Sequence, residues 1–335
     1  MSNLCLVTGA NGHLGNNLVR TLLSKGERVR AGVRNTDYHK PFEGLDCELV
    51  YTEMQDKQAM IAALKNVDVL YHVAAVFKHW SKNPEAEIVR PNLIGTEVVL
   101  KAAAEAKVKK VIYVSSVAAI GHDGTPLNEN SWNTENTNAY YRSKIQAEKR
   151  AWELAKEYGL WMVAALPSAM IGPHAENLTD TMKFIDSIRN KSLPFNPNFF
   201  FNFVDVRDVS EALYAAEKLG EAGQRYILAN NNSSSFEDII TAANTIKKDY
   251  KIPPAIPKWL LFILAKAMEL MSKITGKPAE LITSQVRLFH GVKQEYDISR
   301  SRKALAYSPR SPMQTLKEAF AYLEQRDIKR RINLL

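Results

Sequence analysis

The chain has 335 residues, enough for one large α/β domain with a substrate lobe or for two domains, and its 46% hydrophobic and 24% charged composition is that of an ordinary folded protein. Two cysteines, Cys5 and Cys47, are too few for a disulfide framework, and no Cys/His spacing suits a metal, so a reducing, cytoplasmic compartment and metal-free chemistry are expected. The formal net charge of +8 suits acidic ligands such as phosphates, while the absence of a zinc spacing or an RNA-binding motif argues against nucleic acid as a partner.

In chain order, residues 4–8 form a short apolar run that leads straight into a glycine-rich turn; the run is too short for a signal-peptide core and has no basic lead, so it reads as a first strand. Further strands are expected at 28–33, 48–51, 69–73, 111–115 and 161–166, separated by helical patterns at 13–24, 56–64, 85–106 and 139–158. The near-continuous apolar character of these strands is that of strands covered on both faces, and the alternation implies a doubly wound parallel sheet of the Rossmann type. After Pro167 the rhythm breaks at Pro173, Pro194 and Pro197; a strand-like Phe203-Val204, a helix starting near Asp208 and a strand at 225–229 follow, and the remainder is mostly helical. The expected division is a nucleotide-binding domain over 1–168, to which 203–230 returns, and a smaller, mostly helical substrate lobe over 169–202 and 231–335.

The greasy segment 259–265 is well short of the roughly 20 residues a membrane span needs. With Lys258, Lys266 and Lys273 punctuating it, the helix over 259–271 is expected to pack on the substrate lobe, with an apolar lid or a weak peripheral membrane contact as the alternatives.

The first strand ends in Thr8-Gly9-Ala10-Asn11-Gly12-His13-Leu14-Gly15 and opens into a helix with apolar residues at Leu14, Leu18 and Leu22. Glycines there permit a tight turn, close approach of bare backbone to a pyrophosphate, and close packing of helix on sheet, while helix N–H groups meet the phosphate charge. Strand two ends in Arg34 rather than in the acidic residue that would bind a ribose 2′-hydroxyl, which favours NADP(H) over NAD, with Lys40 as a second phosphate contact.

Tyr140 and Lys144 stand four residues apart on an expected helix, which puts phenol and ammonium on one face, where the cation lowers the phenol pKa. A second Tyr-x-x-x-Lys pair exists at Tyr214 and Lys218, so the spacing alone decides nothing. Context separates the copies: the strand before Tyr140 delivers Ser115-Ser116 to the carboxyl edge of the sheet, where ligands of open α/β sheets bind, and nothing comparable precedes Tyr214.

Taken with Asp68 to Ala75, Pro91-Asn92-Leu93-Ile94-Gly95-Thr96, Leu166-Pro167-Ser168, Gly172-Pro173, the Phe203 to Val209 run and Tyr296-Asp297-Ile298-Ser299, these motifs make the chain resemble the extended short-chain dehydrogenase/reductases from Leu4 to about Phe320. The resemblance implies that Ser116 is the catalytic serine, that Glu53 and Met54 flank the adenine and that Ala74 and Ala75 line the cofactor cleft. It also implies that Lys144 reaches the nicotinamide ribose and that the Pro167-Ser168 backbone meets the nicotinamide. The branch resembled is that of dihydroflavonol reductases and beta-hydroxysteroid dehydrogenases. The expected reaction is therefore NADP-dependent reduction of a carbonyl, or the reverse, on a small molecule with an apolar portion. A nucleotide-sugar epimerase is the alternative, suggested by His79-Trp80-Ser81-Lys82-Asn83-Pro84, and a non-catalytic NADP-binding regulator comes third. Phe77, Trp80, Phe199, Phe200 and Trp259 are candidate apolar walls, and Ile120-Gly121-His122 lacks the Asn that plant flavonoid reductases carry there. A monomer or a homodimer is expected.

Overall fold

The computed structural model describes residues 2–121, 126–279 and 281–332, the last four without their side chains, so His122 lies outside the described residues. Strands β1 (Leu4–Thr8), β2 (Arg28–Val33), β3 (Glu48–Tyr51), β4 (Val69–His72), β5 (Lys110–Val114), β6 (Met162–Pro167) and β9 (Arg225–Leu228) form one sheet in the order β3-β2-β1-β4-β5-β6-β9. Every pairing in it is parallel. This is the doubly wound class expected from the alternation of apolar runs and helical patterns, and β4, β6 and β9 are buried along their whole length because helices cover both faces. The order reverses at β1, between β2 and β4, which opens a crevice at the carboxyl edge of the sheet.

Helices α1 (His13–Ser24), α2 (Lys57–Ala63), α3 (Arg90–Glu105), α4 (Ala139–Tyr158) and α6 (Val206–Leu219) flank the sheet. Most elements end within a residue or two of expectation, and two departures have clear causes. The helical pattern over 85–106 is split into a wide π-helical turn, Glu85–Val89, and α3 proper, with Pro91, which lacks an N–H, in the first turn of α3. Helix α6 begins at Val206 rather than near Asp208 because the buried Asp205 caps it, its carboxylate accepting from Arg207 N at 2.9 Å.

Beyond the sheet, β7 (Ala169–Ile171) pairs in parallel with β8 (Phe203–Asp205). Around them α5 (Asp180–Arg189), α7 (Phe236–Ala243) and α11 (Pro312–Ile332) share an apolar core of Ile171, Met182, Phe203, Phe236 and Phe320. Helices α8 (Lys258–Thr275) and α9 (Thr283–Phe289) make a third cluster, in which Leu261, Ala265 and Val286 meet Phe199, Tyr140 and Tyr141. A short α10 (Ser299–Leu305) returns to the main sheet core through Leu305.

Helix α4 is tied to the sheet by a buried ion pair. Glu148 accepts from Arg225 Nε at 2.7 Å and from Ser115 Oγ at 2.5 Å, while Arg225 Nη1 donates to the carbonyls of Glu129 and Ser131, each at 2.7 Å. Trp132 stacks on the guanidinium at 4.0 Å. A buried charge that loses its partner pays its desolvation without compensation, so Arg225→Ala is expected to cost about 3–5 kcal/mol of stability. Urea unfolding followed by circular dichroism measures this, and a loss below about 1 kcal/mol, the range of exposed pairs, contradicts it.

Candidate active site

The turn after β1 is built for close approach. Gly9 has φ +66°, and a Cβ added to it would lie 3.0 Å from Ala74 Cα; a Cβ on Gly15 would sit 2.2 Å from the Gly9 carbonyl oxygen. Helix α1 starts at Gly12, which offers no side-chain oxygen to cap it, so its first N–H groups are left for an anion. Asn11 and Gly12 are exposed at the tip of the turn.

Two turn residues are committed to the protein rather than directed at a ligand. Thr8 is buried, and its hydroxyl accepts from Val73 N and Ala74 N at 3.1 Å each while bonding His72 Nδ1 at 3.0 Å, so its side chain pins the loop after β4. The His13 ring bonds the carbonyls of Gly172 and Pro173 at 3.1 and 3.0 Å through Nε2, and burial lowers its pKa to about 4; a neutral ring donates one N–H there. Leu14 buries its side chain in the core, which leaves only its backbone to the turn. The side chains of Thr8, His13 and Leu14 are thus held by the protein itself, which leaves their backbone groups at the turn.

Around the crevice, Arg34 follows β2, is exposed and makes no ion pair among the described residues. Lys40 instead pairs with Glu176 at 3.2 Å, a carboxylate that also accepts from Tyr38 Oη at 2.9 Å, so its charge is shared with the lobe. Glu53 and Met54 follow β3; Met54 packs where a Cβ on Gly95 would lie 2.8 Å from its sulfur. Ala74 and Ala75 line a small cavity with His72, Asn92, Thr96 and Lys144. Pro167 ends β6, and next to it Ser168 Oγ is buried without a protein hydrogen-bond partner among the described residues. An uncapped helix start, glycines that admit no side chain, an unpaired arginine at the β2 end and an orphaned hydroxyl at the β6 end together suit a dinucleotide laid across the carboxyl edge.

At the other side of the crevice, Asn138 caps α4, its Oδ1 accepting from Tyr140 N at 3.0 Å and Tyr141 N at 3.2 Å while its Nδ2 donates to Ser284 Oγ on α9 at 3.0 Å. The cap sets the phase of the first turn, which turns Tyr140 towards Ser116 and Tyr141 towards Phe289. The serine pair divides by task. Ser115 is consumed by Glu148, whereas Ser116 accepts from Ala118 N at 3.1 Å and hydrogen-bonds the Tyr140 phenol.

Burial pushes the Tyr140 phenol up to about 12, with the Ser116 hydrogen bond pulling the other way. The expected lowering by Lys144 is not found in this arrangement, where desolvation dominates. Lys144 is itself brought down to about 8 by burial, opposed by the negative charge of Glu148 one turn along α4. Burial, with a smaller push from the Lys144 charge, lowers the His72 pKa to about 3 and holds the ring neutral.

Aromatic rings close over Tyr140. Phe77 lies edge-on at 5.0 Å between centroids and His79 at 4.9 Å, and burial lowers the His79 pKa. Phe199 is buried in the cluster that holds Tyr140. Trp259, an expected wall, faces outward with 63% of its surface exposed. The roles of Asn138 and His79 escaped sequence reasoning; an Asn just before an expected helix start was a readable cap signal, whereas nothing periodic marks the loop that carries His79.

The second Tyr-x-x-x-Lys pair lies elsewhere. Lys218 Nζ stands over the Tyr214 ring at 5.1 Å and bonds Glu27 at 2.7 Å, immediately before β2 and so at the amino edge of the sheet.

A doubly wound sheet with a phosphate-ready turn and a Ser/Tyr/Lys cluster at its carboxyl edge defines a nicotinamide dinucleotide-dependent class of protein. The family model described as NAD dependent epimerase/dehydratase family matches residues 5–229. The chain belongs to this family and, within it, to the extended short-chain dehydrogenase/reductases. It is 30% identical to a protein of Synechocystis sp. named as a dihydroflavonol 4-reductase, over 97% of this chain and 95% of that one. It is 32% identical to cinnamoyl-CoA reductase 1 of Arabidopsis thaliana, over 67% and 70% of the two chains. The crystal structure of gox2253 superposes with a TM-score of 0.83 at 29% identity, covering 97% of this chain and 99% of that one. The yeast methylglyoxal/isovaleraldehyde reductase Gre2, complexed with NADPH, shares the fold with a TM-score of 0.76 at 21% identity over 97% and 99%. At the coarse level these relatives support, the protein is an NAD(P)-dependent oxidoreductase.

Because Asn138 sets the first turn of α4, Asn138→Ala is expected to cost about 1 kcal/mol of stability and to lower turnover by loosening Tyr140, whereas Asn138→Asp retains the acceptor and most of both. Thermal melts and steady-state rates of the two variants check this; equal behaviour of Ala and Asp contradicts it.

Proposed function

We propose that the protein is an NADP-dependent reductase that converts a ketone or aldehyde with an apolar portion to the alcohol, or runs the reverse reaction. The observation that carries this reading is the convergence of Ser116, Tyr140 and Lys144 beside the glycine turn. When bound, NADPH supplies hydride from C4 of its nicotinamide. Ser116 donates a hydrogen bond to the carbonyl oxygen and polarises it. Tyr140, held protonated by burial, gives its proton to the same oxygen as negative charge develops there, and the Lys144 cation stabilises the phenolate left behind. Phe77 and His79 keep water off the phenol.

The backbone of Gly9 to Gly15, with Asn11 at its tip, receives the pyrophosphate, while Arg34 pairs with the 2′-phosphate and Lys40 adds a weaker charge. Glu53 and Met54 take the adenine side, Ala74 and Ala75 line the cleft, Pro167 and Ser168 meet the nicotinamide, and Lys144 also reaches its ribose. In this reading 1–168 with 203–230 bind the cofactor, and 169–202 with 231–335 hold the substrate. Reductase is preferred to epimerase because relatives such as the cinnamoyl-CoA reductases and the anthocyanidin reductase of Arabidopsis thaliana are named as reductases. The likeness to epimerase structures, such as one from Pseudomonas aeruginosa at 20% identity, speaks for the fold alone. The aromatic rings over Tyr140 favour an apolar substrate.

Loss of a general acid typically costs 10²- to 10⁴-fold in rate, so Tyr140→Phe is expected to lower kcat by about that factor with NADPH affinity nearly unchanged, and Tyr214→Phe to be silent. Near-wild-type turnover of Tyr140→Phe on a substrate whose chemical step is rate-limiting sinks the mechanism. Charge-assisted bonds to Arg contribute about 1.5–3 kcal/mol, so Arg34→Asp should weaken NADPH by roughly tenfold or more and NADH little; equal wild-type affinity for the two by calorimetry contradicts the assignment. As pH rises, Lys144 loses its charge near its pKa of about 8 while Tyr140 is still protonated. The reduction rate is therefore expected to fall above that pH, and a profile flat well past it argues against an electrostatic role for Lys144.

A further inference from the structure

Helix α8 carries two opposed apolar faces. Its inner face, Leu261 and Ala265 with Ser272, is buried, and the first two belong to the cluster that contains Tyr140 and Tyr141. Its outer face is as greasy and is covered by none of the described residues: Trp259, Ile263, Leu270, Met271 and Ile274 are 63, 55, 61, 63 and 76% exposed. At about 100° per residue, Trp259, Ile263, Leu270 and Ile274 fall within an arc of about 60°, centred roughly 180° from the buried residues. The stripe is contiguous along a helix about 27 Å long.

Charge says what suits this face. Lys266 and Lys273 run along one flank of the stripe, Lys258 opens the helix further round, and none of the three makes an ion pair among the described residues. Lys277 follows the helix, and Lys82 approaches its end, with Nζ 3.3 Å from where a Cβ on Gly276 would lie. The one acid on the helix, Glu269, is on the same flank but is engaged by the start of α9, accepting from Thr283 N at 2.7 Å and Thr283 Oγ1 at 2.9 Å. Two copies packed through this face would set lysines against lysines. A bilayer surface with anionic headgroups meets both features at once, apolar side chains entering the acyl boundary and lysines staying at headgroup level.

We propose that α8 is an interfacial anchor that seats the protein on an anionic bilayer. No helix among the described residues is long and apolar enough to cross a membrane, so the anchor lies in the surface plane. Because the opposite face of the same helix packs on the Tyr140 cluster, docking holds the substrate lobe against the lipid. The proposal stands apart from the identity of the carbonyl substrate, since its readout is binding.

The test is co-sedimentation of the full chain with vesicles of phosphatidylcholine alone or of phosphatidylcholine mixed with phosphatidylglycerol, at low and high salt. The expected result is binding that needs phosphatidylglycerol, weakens with salt, and drops at least about tenfold in Ile263→Asp/Ile274→Asp and in Lys266→Glu/Lys273→Glu. Both double variants alter only exposed side chains, so unchanged thermal melts are expected alongside. Absence of binding at any phosphatidylglycerol content overturns the proposal, as does equal binding by wild type and Ile263→Asp/Ile274→Asp. Sedimentation equilibrium supplies the rival outcome: a wild-type dimer that Ile263→Asp/Ile274→Asp dissociates assigns the stripe to a second copy and overturns the anchor.

Discussion

Everything at the site hangs on where helix α4 is held. Its start is set by Asn138, whose side-chain oxygen takes the first free N–H groups, and its middle is set by the buried Glu148–Arg225 pair that reaches across to β9. Between these two anchors lie Tyr140 and Lys144, one turn apart, both desolvated. A buried ion pair of this kind contributes little net stability, because desolvation offsets the Coulomb gain. Its use here is positional: it fixes the rotation of the helix against the sheet. It also places a negative charge one turn beyond Lys144, which opposes the loss of the lysine's proton in an apolar setting.

The same burial that makes the site costly makes it chemical. Desolvation raises the phenol and lowers the ammonium, setting an acid that stays protonated one turn from a cation that titrates at about 8. Ser115 and Ser116, adjacent in sequence just past β5, point to opposite duties because extended backbone alternates its side chains: one faces α4 and its carboxylate, the other the crevice. Thr8 does for the cofactor cleft what Asn138 does for the helix, fixing the backbone of Val73 and Ala74 with a single hydroxyl.

Much of this was legible in the residues. The parallel sheet could be read because strands covered on both faces are apolar throughout, and the glycine turn because only glycine tolerates the approaches at Gly9 and Gly15. The choice of Tyr140 over Tyr214 followed from the strand-end serines, and the ion pairs of Lys218 at the far edge give the second copy a packing role. What stayed hidden depends on tertiary contact. The ring of His79 reaches Tyr140 from an irregular loop with no period to betray it, beside Phe77, which the sequence did offer as an apolar wall. The phenol shift was expected with the wrong sign because spacing reveals a nearby cation but not the depth of burial. For α8 the apolar stripe is visible at helical spacing in the sequence, yet which of its two greasy faces turns inward is decided only by Tyr141, Phe199 and Phe289 packing against Leu261 and Ala265.

The central claim is that hydride passes to a carbonyl carbon that Ser116 and Tyr140 hold through its oxygen. Supplying NADPH deuterated at C4, separately in each of its two stereochemical forms, with a panel of apolar ketones and aldehydes tests it most directly. The account predicts that, for a turned-over substrate, one form delivers its deuterium to the carbinol carbon of the alcohol, seen by mass spectrometry and NMR, with NADP accumulating in equal amount. Alcohol formed without deuterium from either form, or nucleotide sugars interconverted with no net cofactor oxidation while no carbonyl of the panel is reduced, contradicts it.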